Sequence, residues 1–227
     1  MLYTQEAVRD NIRNRGGRRV FYLGRGDQLT SGARDWLRRE RIEIIPAQQA
    51  KPDRYRLLSG GYAEEKPEHM THLNAELLVP KTHPRIRFRG KLDTLEAELI
   101  LCAQSCPAFR KELEEILALA RRILRCDVLE EALPEESLCG LSQTEQRRHS
   151  HFPQDHYGQP HFMPEPEDSA AIARLNRARC AAREAELAGV EAWSDRDGRI
   201  VREDMIRALN RMSSMLYILM IREKAGR

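Results

Sequence analysis

The sequence predicts a mainly α chain: a bundle of four or five helices carrying a small N-terminal α/β extension. Three observations predict it. From about residue 83 onward, apolar residues recur at helical spacing through successive runs. Most of those runs are joined by short connections, as in helical bundles. Before residue 57, helical spacing is instead interleaved with short apolar runs of strand type.

In the first region Thr4 is a candidate N-cap, and Val8 and Ile12 share a helix face. Arg19–Leu23 reads as a strand, Thr30 or Ser31 caps a helix through Trp36 and Leu37, and Arg41–Pro46 reads as a second strand. Residues 1–56 are therefore expected to form a small β-α-β unit. Pro46, Pro52, Gly60, Gly61 and Pro67 stand among charged residues, so 57–70 reads as a linker and 71–227 as the bundle.

In the bundle, Pro84 can open a helix because its missing N–H costs nothing at the first position. Phe88, Leu92, Leu95 and Leu99 follow on one face. Pro107 starts the next helix, with Leu113, Ile116, Leu117, Ala120 and Leu124 as its apolar face. Ser142-x-x-Glu145 is a capping-box pattern. Residues 149–168 are rich in His, Pro, Asp and Gly and read as a long loop. Asp168 is expected to cap a helix to about Trp193, SDRDG (194–198) a turn, and 203–223 a last helix.

Composition narrows the class. With 227 residues, 41% hydrophobic and 32% charged, the chain can bury one good-sized core. The longest apolar run, Met215–Ile221, is too short to span a bilayer. The N-terminus carries no apolar signal region, and the five cysteines include no CxxC pair. The expectation is a cytoplasmic protein with reduced thiols and no membrane partner. Residues 1–56 hold 13 Lys/Arg against 7 Asp/Glu. No interleaved aromatics accompany those charges, so no nucleic-acid partner is expected.

Two helices carry polar residues where a bundle should be apolar. In the last helix Asn210, Ser213, Ser214 and Tyr217 share one face at i, i+3, i+4 and i+7. That face is either an interhelical hydrogen-bond seam or a ligand surface. In the preceding helix Arg179, Arg183 and Glu186 share a face at i, i+4 and i+7. They are either solvated charges or a clamp for an anion such as a phosphate chain, which would relieve the repulsion of two like charges at i,i+4. Asp93, beside the apolar stripe of its helix, is a candidate partner for one of those arginines. His149, His151, His156 and His161 are either ordinary polar residues or a metal cluster. Neither GxxxxGK[ST] nor GxGxxG is present.

At these residues the chain resembles a known family. THLNAELLVPKTHPRIRFRGKLDTLEAEL (71–99), RCAAREAE (179–186) and ALNRMSSMLYILM (208–220) resemble, in order, three motifs of the cobalamin adenosyltransferases. GLSQTEQRRHSH (140–151) and LTSGARDWLRRERIEI (29–44) resemble the ethanolamine-utilization branch, so the likeness extends over nearly the whole chain.

The resemblance implies an ATP:corrinoid adenosyltransferase that moves the 5′-deoxyadenosyl group of ATP to Co(I) of cobalamin, releasing triphosphate and making adenosylcobalamin for ethanolamine ammonia-lyase. The alternative is a non-catalytic carrier of adenosylcobalamin or nucleotide. By resemblance, Thr71 and Lys81 contact the ATP phosphates. Arg179 and Arg183 hold the triphosphate, Glu186 and Asn210 orient ATP and its magnesium ion, and Asp93 pairs with Arg179. Phe152, Tyr157 or Phe162 supply part of an apolar wall beneath the corrin. The family forms homo-oligomers, trimers ahead of dimers, with ATP between subunits. A reductase, the lyase or a bacterial microcompartment is a further expected contact. Many relatives of this branch also carry a His and a later Cys-Cys-x-x-Cys as a metal motif. RLLSGGYAEEKPEHM (56–70) holds no cysteine, so no transition metal is expected there.

Overall fold

In the computed structural model, residues 1–15, 18–46, 55–195 and 197–226 are described. They divide into two units, Met1–Met70 with Glu76–Leu78, and Thr71–Ala75 with Val79–Arg227.

The first unit begins with β1 (Leu2–Tyr3), α1 (Gln5–Arg9), β2 (Arg13–Arg15), β3 (Arg18–Leu23), β4 (Gln28–Leu29), α2 (Ser31–Arg39) and β5 (Glu43–Pro46). Thr4 caps α1 by accepting from the Ala7 amide, and Thr30 caps α2 by accepting from Ala33, both at 3.3 Å. β3 and β5 pair in parallel from Val20↔Glu43 to Leu23↔Pro46 with α2 between them in sequence, so the expected β-α-β unit forms. Its core is Val8, Phe21, Leu29, Ala33, Trp36, Leu37 and Ile42. β6 (Tyr55–Leu57), which begins before the stretch read as a linker, pairs antiparallel with β7 (Tyr62–Ala63) inside it. After β8 (Met70–His72) comes β9 (Leu77–Pro80), whose Leu77 and Leu78 pair in parallel with β6. Strands of two to four residues show too little alternation to be read from sequence. Pro52 lies outside the described residues.

The second unit is helical. α3 (Pro84–Ser105) opens with Pro84 at its first turn and with His83 Nδ1 accepting from the Arg85 amide at 3.2 Å. It buries Phe88, Leu92, Leu95 and Leu99. Pro107 starts a 3-10 turn, Pro107–Phe109, which leads into α4 (Arg110–Leu129). The buried stripe of α4 is Leu113, Ile116, Ala120 and Ile123, and it ends on a buried carboxylate, Asp127. Ile123 takes the place expected of Leu117 and Leu124, which are only partly buried.

The capping box forms in full at the start of α5 (Gln143–His151). Ser142 Oγ accepts from the Glu145 amide at 3.3 Å, and Glu145 accepts from the Ser142 amide at 2.8 Å. Its helix runs through His149, and Pro153 then opens α6 (Pro153–Tyr157). The loop expected over 149–168 is therefore helical in its first part, because Pro153 occupies a helix start instead of breaking one. α7 (Ala170–Trp193) is capped by Ser169, not Asp168. Asp168 is drawn away: it accepts from the Glu165 amide at 2.9 Å and pairs with Lys224. α8 (Glu203–Lys224) closes the chain.

α3 and α7 run antiparallel, as the pairs Arg87–Glu191, Lys91–Glu184 and Glu98–Arg177 show. Such exposed pairs contribute only about 0–1 kcal/mol each, so packing holds the helices. Alanines at 178, 181, 182 and 185 let α7 lie close to its neighbours. Gly189 continues this approach. A methyl there would meet Ile206 Cδ1 at 2.9 Å, Trp193 Cζ3 at 3.0 Å and Phe88 Cε2 at 3.3 Å. Gly189→Val is expected to cost about 1–3 kcal/mol by overpacking, read as a lower melting temperature in circular dichroism. An unchanged melting temperature would refute the tight contact. Among the described residues, no helix is long and apolar enough to cross a membrane.

Candidate functional site

α7 and α8 are antiparallel, and their two polar faces meet. Asn210 Nδ2 donates to Glu186 Oε1 at 2.8 Å. Two turns away, the Arg179 guanidinium lies 5.9 Å from the centre of the Tyr217 ring. Arg183 lies between these rungs on the same face of α7 and is exposed. The serines take no part in an interhelical seam. Ser213 and Ser214 both donate to the Asn210 carbonyl of their own helix, at 2.9 and 3.2 Å. Beside the Glu186–Asn210 rung is a depression of about 250 Å³ bounded also by Ile200, Glu203, Ile206 and Arg207.

Asn210 is held from both ends. Its Nδ2 serves Glu186, while its Oδ1 accepts from Arg211. Only one amide orientation satisfies both partners. Burial, ahead of the neighbouring Arg147, pulls the Arg211 pKa below its ordinary value. Arg211 follows Asn210 directly in the Leu-Asn-Arg motif, a signal that could have singled it out.

At the Arg179 end the site becomes aromatic. The Tyr217 hydroxyl accepts from the Phe162 amide at 3.3 Å and lies 3.1 Å from His161 Nδ1. His161 Nε2 is 3.0 Å from the His151 carbonyl, so Nε2 carries the proton and Nδ1 is left as an acceptor. The one proton of the Tyr217 hydroxyl is shared between this nitrogen and the Phe162 carbonyl, 3.3 Å away. The Phe162 and Tyr217 rings lie 6.3 Å apart. Phe162 is thus brought to the Arg179 face. Tyr157 is not part of that group: its hydroxyl bonds His149 Nδ1 at 2.8 Å. Phe152, 59% exposed, caps the end of α5. Tyr217 reads from sequence as part of a polar face; its place against Phe162 is decided by the packing.

The histidines are dispersed by function. His149 stacks on His156 with ring centres 3.7 Å apart, and His161 serves Tyr217. Among the described residues no three His, Cys, Asp or Glu side chains are grouped to hold a metal ion. Burial first, and then the adjacent His156, holds the His149 pKa below its ordinary 6.5. The folded chain therefore binds fewer protons here than the unfolded one. The stability this supplies is present above pH 6.5 and is lost as the pH falls from there through the folded value. The melting temperature should be lower at pH 5.5 than at pH 7.5, by less in His149→Gln. An equal drop in the variant would clear His149 of any part.

Thr71 lies in β8 and is half-buried, and Lys81 is exposed in the turn before α3. Asp93 departs from expectation. It is exposed on the line of α3 that holds Arg89 and Glu96, and those residues pair with Asp127 and Arg121 of α4. The α7 side of α3 is the line of Arg87, Lys91 and Glu98. Arg179 donates to Asn176 at 3.2 Å instead. Within one chain, Asp93 and Arg179 are not a pair. Helical spacing placed Asp93 beside the apolar stripe but could not say on which flank.

None of the five cysteines is disulfide-bonded. Burial pushes Cys102 and Cys139 up to about 12, which keeps both protonated at neutral pH.

Two comparisons bear on this geometry. The chain is 34% identical over 158 residues to the corrinoid adenosyltransferase EutT of Salmonella typhimurium, and equally to EutT of Escherichia coli K12. Each match spans 69% of this chain and 59% of the relative, so the chain accounts for about three fifths of the length of the curated relatives it matches. The family model for cobalamin adenosyltransferase matches residues 61–223, which hold the whole α7–α8 face, Thr71, Lys81 and Phe162. The chain belongs to the cobalamin adenosyltransferase family.

Proposed function

We propose that this chain is an ATP:corrinoid adenosyltransferase of the ethanolamine-utilization type. The observation that carries the reading is the joining of Arg179, Arg183, Glu186 and Asn210 on one face across α7 and α8. In the reaction Co(I) of the corrinoid attacks the 5′ carbon of ATP. A cobalt–carbon bond forms, the C5′–O bond breaks, and its electron pair leaves on triphosphate. Cobalt supplies the nucleophile, so the chain's own task is alignment and charge neutralisation.

Arg179 and Arg183 hold the triphosphate, since guanidinium matches phosphate in fork geometry and stays charged. Glu186, oriented by Asn210, positions ATP and a magnesium ion. Thr71 and Lys81 contact the phosphates. Phe162, backed by Tyr217, lines the wall beneath the corrin, with Phe152 and Tyr157 as outer parts of it. ATP lies between copies of a homo-oligomer, a trimer ahead of a dimer. Asp93 then meets Arg179 of another copy, which accounts for the separation of the two residues within one chain. The product serves ethanolamine ammonia-lyase, with a reductase upstream and a microcompartment as a further contact.

The test is an anaerobic spectral assay. Chelator-treated protein receives chemically generated Co(I) cobalamin, magnesium and ATP, and adenosylcobalamin formation is followed. Turnover supports the reading and its independence from a bound transition metal. Binding of ATP or corrinoid without turnover would favour a carrier.

A further inference from the structure

A buried ionic cluster on α3 and α4 lies away from the α7–α8 face. Asp127 is 0% exposed, yet it sits on the apolar stripe of α4. Arg85 Nε donates to its Oδ1 at 2.9 Å and Arg89 Nε to its Oδ2 at 2.6 Å. Arg85 and Arg89 are at i,i+4 on α3, where two like charges repel unless an anion stands between them. A buried carboxylate in turn needs paired cations.

Arg85 completes its bonds on α4 and its end, to the Asp127 carbonyl at 2.7 Å and Glu130 at 3.1 Å. Arg89 does something different. Its Nη2 donates to the Leu73 carbonyl at 2.7 Å and its Nη1 to the His72 carbonyl at 3.3 Å. One guanidinium thus spends Nε on a buried carboxylate and both terminal nitrogens on two consecutive peptide carbonyls. Those carbonyls belong to the two residues directly after Thr71.

The start of α3 is tied to the same cluster. His83 accepts from the Arg85 amide at 3.2 Å, and it must be neutral to do so. Burial, then the cations of Arg85 and Arg89, hold its pKa below the ordinary value. Lys81 stands two residues before this cap. The chain has no Walker-type or GxGxxG loop whose backbone amides would fix a phosphate site.

We infer that Arg89, braced by Asp127, is the positioning residue that holds the Thr71 segment in place for ATP. The inference rests on the reading of Thr71 as a phosphate contact given above. Arg89 does not touch ATP. It acts by fixing the 71–73 backbone against α3.

The experiment is steady-state adenosylation kinetics on the full-length wild type, Arg89→Lys, Arg89→Met, Thr71→Ala and the Arg89→Lys/Thr71→Ala double variant. Lysine keeps a cation beside Asp127 and cannot reach both carbonyls, so it preserves the fold where methionine does not. Arg89→Lys is expected to raise the KM for ATP about tenfold, as loss of charge-assisted hydrogen bonds does, with kcat and the corrinoid KM little changed. Thr71→Ala is expected to raise the same KM, and the double variant to be no worse than the poorer single one, because both act through one contact. Effects that multiply in the double variant would overturn the inference, since Arg89 would then act independently of Thr71. So would an ATP KM unchanged in Arg89→Lys while Thr71→Ala raises it. An ATP KM unchanged in Thr71→Ala would overturn the phosphate role of Thr71 and, with it, that of Arg89. Absence of turnover in the wild type would overturn the enzymatic reading itself.

Discussion

Arg183→Ala is expected to lower kcat/KM for adenosyl transfer by about 10²- to 10³-fold, the range seen when one preorganised donor to developing charge is removed. In the proposed reaction negative charge accumulates on the leaving triphosphate as the C5′–O bond breaks, and a fixed cation would stabilise that charge more than it stabilises bound ATP. The loss should therefore appear in kcat as well as in KM. Arg183 is exposed on α7, between the Glu186–Asn210 bond and the Arg179–Tyr217 stack, so its removal leaves both rungs intact. The melting temperature should not move. Arg183→Lys should recover only part of the rate, because an ammonium keeps the charge and gives up the fork. Wild-type turnover in Arg183→Ala would remove Arg183 from the clamp and leave Arg179 as its only arginine.

Asp127→Ala has the largest expected effect on folding, a loss of about 3–5 kcal/mol, because it strands two guanidiniums against a buried surface. Arg85 and Arg89 side chains are only 16% and 14% exposed, so water cannot readily replace the carboxylate. The measurement is urea unfolding followed by circular dichroism, with Asp127→Asn as the milder companion. A loss below about 1 kcal/mol would mean the cluster behaves as an exposed pair and the α3–α4 brace is weak. The Lys91–Glu184 pair makes a useful contrast, being exposed on both sides; Lys91→Ala should change stability by less than about 1 kcal/mol.

Much of this molecule is legible in one dimension because helices repeat. The stripe Phe88, Leu92, Leu95, Leu99 is buried as its spacing requires, and Ser142 and Glu145 form the capping box that their separation announces. The same regularity puts Arg179, Arg183 and Glu186 on one face of α7, and Asn210 and Tyr217 on one face of α8. These relations are set within a few turns of one helix, where backbone geometry leaves no choice. The sequence by itself determined the long helices, the buried stripe of α3, the β-α-β unit and the composition of each polar face; it did not show α6, nor that Ile123 and not Leu117 or Leu124 is buried on α4.

Only the tertiary structure decided which faces meet. Asp93 and Arg179 each lie beside an apolar stripe, yet the packing of α3 against α7 through Arg87, Lys91 and Glu98 turns Asp93 toward the α4 flank. Tyr217 becomes the partner of Phe162 and Arg179 because α7 and α8 are antiparallel and the segment after α6 returns across them. Asp127 carries a hint in sequence, a carboxylate four residues after Ile123 on an apolar stripe. Its partners Arg85 and Arg89 are 42 and 38 residues away. The physical reason is common to all three cases: helical periodicity fixes the angle of a side chain about its own axis, while the neighbour it meets depends on crossings between elements distant in sequence.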